Sequence, residues 1–145
     1  MAYLLDVNVL IARTDPRHES HHAVRSWLAR AGAEQLLFCP IVENGFLRIY
    51  GHASYPEGPG SPGRAAVDLR DMRALPNAMF VPDDVSIDDT ALFLSTTDLT
   101  PRQLTDVYLL GLAVSKGARF ATLDGRIAAH CVREGQDALT VISRQ

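Results

Sequence analysis

In the stretch Tyr3-Leu4-Leu5-Asp6-Val7-Asn8-Val9-Leu10, a short apolar run stops at an aspartate. Such a run suits a strand buried on both faces, which needs no alternation of apolar and polar residues. The pattern recurs at Leu36-Leu37-Phe38-Cys39, Ala78-Met79-Phe80-Val81, Phe120-Ala121-Thr122-Leu123 and Leu139-Thr140-Val141-Ile142. Helical patterns separate these runs. Asp15-Pro16 reads as an N-cap followed by Pro in the first turn, opening a helix with the apolar stripe Val24, Trp27, Leu28 and Ala31 and a stop at Gly32. Pro40 opens another, with Val42, Phe46 and Ile49 at helical spacing before Gly51. Residues 64–75 read as a third helix. Ser86 with Asp89, and more clearly Thr100 with Gln103, have the spacing of capping boxes. The helix behind Thr100 is apolar nearly all round and ends at Gly117, and a last helix covers about 125–134. Five strands interleaved with helices predict an α/β fold, a three-layer sandwich whose mostly parallel five-stranded sheet is flanked by helices.

The 145 residues fit one domain, 1–145, and are enough to bury a core without staples. Residues 51–63 hold four glycines and three prolines and predict a loop, not a linker, because neither flank is large enough to fold alone. Cys39 and Cys131 make neither a disulfide framework nor a zinc knuckle, so a reducing cytoplasm is expected. Asp6 and Asn8 interrupt the first apolar run, which has no basic residue before it and so does not read as a signal peptide. No stretch reaches the ~18 apolar residues of a membrane span. The formal net charge of −3 excludes a polybasic protein that holds nucleic acid by bulk charge.

Four acids stand where a solvated face does not explain them. Asp6 and Asp124 end apolar runs, which places both at the carboxyl edge of the sheet, where open α/β sheets bind ligands. Glu43 lies in the first turn of the helix after the second run, among Ile41, Val42, Phe46 and Leu47. Asp106 lies too far inside its helix to cap it, and Leu109, Leu110 and Ala113 share its face. Two carboxylates 4 Å apart repel by about 4 kcal/mol at an effective dielectric of 20. Lys116, the only lysine, is at the far end of the Asp106 helix. A hard divalent cation, Mg²⁺ or Mn²⁺, is the natural neutraliser of an all-carboxylate site, and one or two such ions activate water for in-line attack on a phosphodiester.

These segments are also familiar as a set. Leu4-Leu5-Asp6-Val7-Asn8-Val9-Leu10, Glu43-Asn44-Gly45-Phe46-Leu47-Arg48, Leu104-Thr105-Asp106-Val107-Tyr108-Leu109-Leu110 and Phe120-Ala121-Thr122-Leu123-Asp124 resemble, in order, the four motifs of PIN-domain nucleases. Their order and spacing are most similar to VapC-type toxins of toxin–antitoxin systems. The resemblance implies a metal-dependent endoribonuclease with Asp6, Glu43, Asp106 and Asp124 as its acidic, metal-binding cluster, Asp6 and Asp106 being the principal ligands. It implies Asn8 as a support for a ligand or a metal-bound water, with Thr105 and Thr122 bonded to neighbouring carboxylates. It also implies an RNA substrate, a cognate antitoxin and a homodimer. Arg13, Arg48 and Arg126 lie near these motifs in sequence and are expected to supply at least one contact to RNA phosphate.

Other signals compete. His18-Glu19-Ser20-His21-His22 matches the zinc-protease pattern H-E-x-x-H, but His18 and His22 project away from the apolar stripe of the helix expected there. Asp6-Val7-Asn8 is similar to the D-x-D start of haloacid-dehalogenase-like phosphatases, although Asn8 cannot transfer a proton. A catalytically inactive PIN-like module that binds RNA or protein is the non-enzyme alternative; loss of an acid would be its sign, and all four are present. If four of the 17 acids share one metal cluster, the other 13 nearly balance 14 Arg and Lys, so an enzyme gripping RNA through metal and a few arginines fits the charge.

Overall fold

A computed structural model describes residues 1–144. The elements are β1 (Ala2–Leu5), α1 (Val7–Thr14), α2 (His21–Ala31), β2 (Gln35–Phe38), α3 (Pro40–Tyr50), α4 (Pro62–Arg73), β3 (Ala78–Phe80), α5 (Pro101–Ser115), β4 (Arg119–Thr122), α6 (Gly135–Ala138) and β5 (Leu139–Val141). All five expected strands form, in the order β3-β2-β1-β4-β5. Every strand pairing within this sheet is parallel, so the sheet is wholly rather than mostly parallel.

This strand order positions the site. The chain steps from β1 to β2 to β3 in one direction, then returns past β1 to β4 and β5. Right-handed crossovers therefore put α1–α4 on one face and α5 and α6 on the other. The direction reverses between β1 and β4, which opens a crevice there at the carboxyl edge. Leu5 pairs with Ala121, so the next residues, Asp6 and Thr122, meet at the mouth of that crevice. Beneath them Leu4, Leu5, Phe38, Phe120, Leu109 and Leu110 are fully buried.

Four sequence expectations change. The helix expected from Asp15-Pro16 to Gly32 starts later, as α2 at His21, and an unexpected helix, α1, precedes Asp15. Asp6 itself caps α1, accepting from Val7 N at 2.7 Å, and Asp15 closes α1, its N–H bonding Ile11 O. Pro16 sits in the turn between α1 and α2, and α2 starts only after Ser20. Ser86 and Asp89 build a turn, with Ser86 Oγ accepting from Asp88 N, and no helix follows. Residues 125–134 hold turns and a single 3₁₀ turn, Ala129–Cys131, in place of a helix. The third helix starts earlier than 64, at Pro62, because Ser61 Oγ caps it by accepting from Arg64 N. The box at Thr100 holds: Gln103 Oε1 accepts from Thr100 N at 2.9 Å.

The shortened loop is strapped to the turn between α1 and α2. Tyr55 OH donates to Asp15 Oδ2 at 2.6 Å, and Arg17 pairs with Glu57. The helix α5 is less uniformly buried than its apolar sequence suggests, since Leu104 is exposed. Its inner side is tightly fitted, and a Cβ at Gly111 would overlap the Phe93 ring. His18 lies in the turn before α2, with its Nδ1 accepting from Ser20 N, while His22 is on the helix. The two therefore do not share one helical face, and the zinc-protease geometry is absent.

Candidate active site

Asp6 is only 5% exposed, although it ends a strand at the sheet edge. Both carboxylate oxygens are engaged: Oδ1 accepts from Val7 N, and Oδ2 accepts from Thr122 Oγ1 at 2.6 Å. Each oxygen has two acceptor sites, so each keeps one for another partner. Thr122, itself fully buried, is the hub. Its hydroxyl accepts from Asp124 N at 3.1 Å and from Asn8 Nδ2 at 3.4 Å, and Asn8 Oδ1 accepts from Leu123 N at 3.2 Å. The strand register thus ties the ends of β1 and β4 into one network through Asp6, Asn8 and Thr122. Thr105, by contrast, is exposed on α5 and takes no part in it.

The electrostatics join three of the acids. Burial pushes the Asp6 carboxyl up to about 6; the bonds from Thr122 and Val7 oppose the rise, and the charges of Asp106 and Asp124 add to it. Burial and the charge of Asp124 also hold Asp106 above the ordinary carboxylate range. Asp124 is held low because Arg126 N donates to its Oδ1 at 2.9 Å and the guanidinium Nε at 3.2 Å. Asp106 and Asp124 line a cleft of about 460 Å³ with Thr100, Arg102, Gln103, Arg126 and Ile127. The lysine is spent elsewhere: Lys116 Nζ binds Asp84 Oδ1 at 2.6 Å.

Glu43 does not join this group. Its carboxylate accepts from Arg73 Nη1 at 2.5 Å, and the Arg73 guanidinium also lies 5.1 Å from the Phe80 ring centroid. The packing of α3 on α4 brings the two side chains together. Of the three arginines expected near the site, only Arg126 borders the cleft. Arg13 is half-buried beside a different cavity with Arg25, Leu28 and Leu36, close to Asp68 and Asp71. Arg48 is exposed in the last turn of α3.

Arg102 is the cleft residue the sequence reading missed. It precedes Asp106 by four positions, the spacing that puts two side chains on one helical face. That signal was legible.

The donor set suits a hard cation held by few protein ligands. Among the described residues, no three His, Cys, Asp or Glu side chains converge closely enough to hold one ion together. A four-carboxylate cage is therefore not formed. One or two carboxylates completed by water is the coordination that Mg²⁺ prefers, and the buried Asp6 and half-buried Asp106 offer mutually repelling oxygens that would suit it.

A wholly parallel α/β domain with acids gathered at its switch point is the frame of a ligand-binding or hydrolytic protein. Residues 3–133 match the family model described as PIN domain. Ribonuclease VapC44 of Mycobacterium tuberculosis is 36% identical over 132 residues, covering 91% of this chain and 92% of its own. Ribonuclease VapC39 of the same organism is 34% identical over 128 residues, covering 88% and 92%. The crystal structure of VapBC2 from Rickettsia felis bound to a DNA fragment from their promoter superimposes with a TM-score of 0.54 at 11% identity, over 99% of this chain and 100% of that one. The chain belongs to the PIN domain family, and its relatives within that family are VapC ribonucleases.

Proposed function

We propose that this chain is an endoribonuclease toxin of the VapC type, dependent on Mg²⁺ or Mn²⁺, that hydrolyses RNA phosphodiester bonds and is neutralised by a cognate antitoxin. The observation that carries the reading is the placement of Asp6: an almost fully buried carboxylate at the switch point, raised to about 6 with Asp106 and Asp124 contributing. Burying that charge among like charges is costly unless a cation compensates it.

In this reading Asp6 and Asp106 hold one or two divalent ions, with Asp124 at the open side of the cleft. A bound divalent ion supplies a water nucleophile at neutral pH and neutralises charge on the phosphate. Thr122 fixes the Asp6 carboxylate by its hydrogen bond and leaves one acceptor position free on each oxygen. Asn8 braces Thr122 and the Leu123 backbone, so the ends of β1 and β4 keep their spacing. Glu43 is neutralised by Arg73 and stands outside the working set. No side-chain nucleophile is required.

Among the described residues no helix is long and apolar enough to cross a membrane, and action in the cytoplasm as a homodimer is part of the proposal. In-line attack by water with a leaving 3′-oxygen gives products with 5′-phosphate and 3′-hydroxyl ends. Analysis of the cleaved ends tests this. A 2′,3′-cyclic phosphate would mean attack by the ribose hydroxyl and would overturn the mechanism.

A further inference from the structure

We infer that Arg102 and Arg126 form a backbone-phosphate clamp at the cleft, and that this clamp grips the RNA strand without reading its bases. The inference rests on the ribonuclease reading and deepens it. Both arginines border the same cavity of about 460 Å³ that Asp106 and Asp124 line. That volume falls within the range of roughly 300–1,000 Å³ for sites that hold one small ligand or one unit of a larger one.

The two arginines are placed differently. Arg126 is anchored: its Nε bonds Asp124 Oδ1, while its side chain stays 92% exposed, so the rest of the guanidinium faces solvent. Arg102 sits in the first turn of α5, exposed, and among the described residues makes no ion pair. It shares a helical face with Asp106. The cleft thus sets two cations, one of them held by Asp124, beside two aspartates. The acids alone would repel a polyanion, and the arginines offset that charge where an incoming phosphate must pass. Guanidinium groups match phosphate in a two-pronged geometry.

The lining residues also say what is not recognised. Thr100, Arg102, Gln103, Asp106, Asp124, Arg126 and Ile127 include no aromatic ring. Base recognition in single-stranded RNA uses stacking planes together with hydrogen bonds to base edges. Gln103, the neutral amide of the lining, has its Oε1 taken by Thr100, so the two guanidinium groups are the main contacts the cleft offers, and they match the sugar–phosphate strand.

The test measures binding of short labelled single-stranded RNA by full-length protein carrying Asp106→Asn, which suppresses turnover, between about 50 and about 200 mM salt. Adding Arg102→Ala is expected to weaken binding roughly five- to tenfold at the low end and to reduce the slope of log affinity against log salt by about 0.7. The effect should be the same for oligo(A) and oligo(U). Arg126→Ala should act in the same direction, Arg102→Lys should restore the slope, and Arg13→Ala should change neither quantity. Unchanged affinity and slope on Arg102→Ala would overturn the clamp while leaving the ribonuclease reading intact. An effect confined to one base sequence would overturn its sequence neutrality. Failure of the Asp106→Asn protein to bind RNA at any salt would instead strike the ribonuclease reading, and the clamp with it.

Discussion

Replacing Asp106 by Asn is expected to lower RNA cleavage by at least about 100-fold while leaving the fold unchanged. The amide has nearly the shape of the carboxylate, and Asp106 accepts no hydrogen bond on which α5 depends, so the loss is one of charge. That charge is what the site has gathered at some cost. Burial and the neighbouring Asp124 both disfavour the ionised form of Asp106, yet the residue stands in the cleft, on a helix whose inner side is buried from Val107 to Ala113 apart from Tyr108. In the proposed mechanism that carboxylate would serve as a ligand for a cation. Cleavage assays with matched protein, together with circular dichroism to verify the fold, read the effect; full activity in the variant would remove Asp106 from the mechanism.

The second large effect concerns Asp6, and it separates stability from activity. A carboxyl raised from its ordinary 3.8 to about 6 binds its proton more tightly in the folded protein than in the unfolded chain. Between about pH 4 and pH 6 the native state therefore holds more protons, and the stability of metal-free protein falls as pH rises through that window. The full penalty, about 3 kcal/mol, is present above it. Asp6→Asn removes the penalty. It also costs about 1 kcal/mol, because one amide cannot accept from both Val7 N and the Thr122 hydroxyl. In EDTA at pH 8 the variant should be more stable than the parent by about 2 kcal/mol; near pH 4, where Asp6 is protonated, it should be about 1 kcal/mol less stable. Its cleavage activity should be lost at both. Urea denaturation at the two pH values decides the matter, and a variant less stable than the parent at pH 8 would show that Asp6 is not held under electrostatic strain.

What the sequence disclosed, and what it concealed, follows from the range of the interactions involved. Asp6 and Asp124 were legible because each ends an apolar run, and a parallel sheet sends all such ends to one edge. The helix α1 was not, because Asp6 serves twice, as the last residue at the strand edge and as the cap of the helix that begins at Val7. Reading it only as an edge acid left Pro16 as the nearest start signal, when Pro16 lies in a turn. The segment 125–134 has apolar residues at helical spacing, but they are buried by an irregular path that includes the bridge between Phe93 and Val132. Glu43 shows the opposite limit. Its partner Arg73 is 30 residues away, and no local pattern announces the pair. Tertiary packing of α3 on α4 created it. Arg102 lay within reach of a spacing argument, four residues ahead of Asp106.

The proposed mechanism requires the carboxylates at the switch point to hold a divalent cation for RNA cleavage to occur. Cleavage of a defined RNA by the purified protein, measured first in excess EDTA and then after addition of excess Mg²⁺ or Mn²⁺, tests it most directly. The expected result is no cleavage in EDTA, recovery with either ion, and no recovery when the same ions are added to the Asp6→Asn protein. Cleavage that proceeds undiminished in EDTA would contradict it.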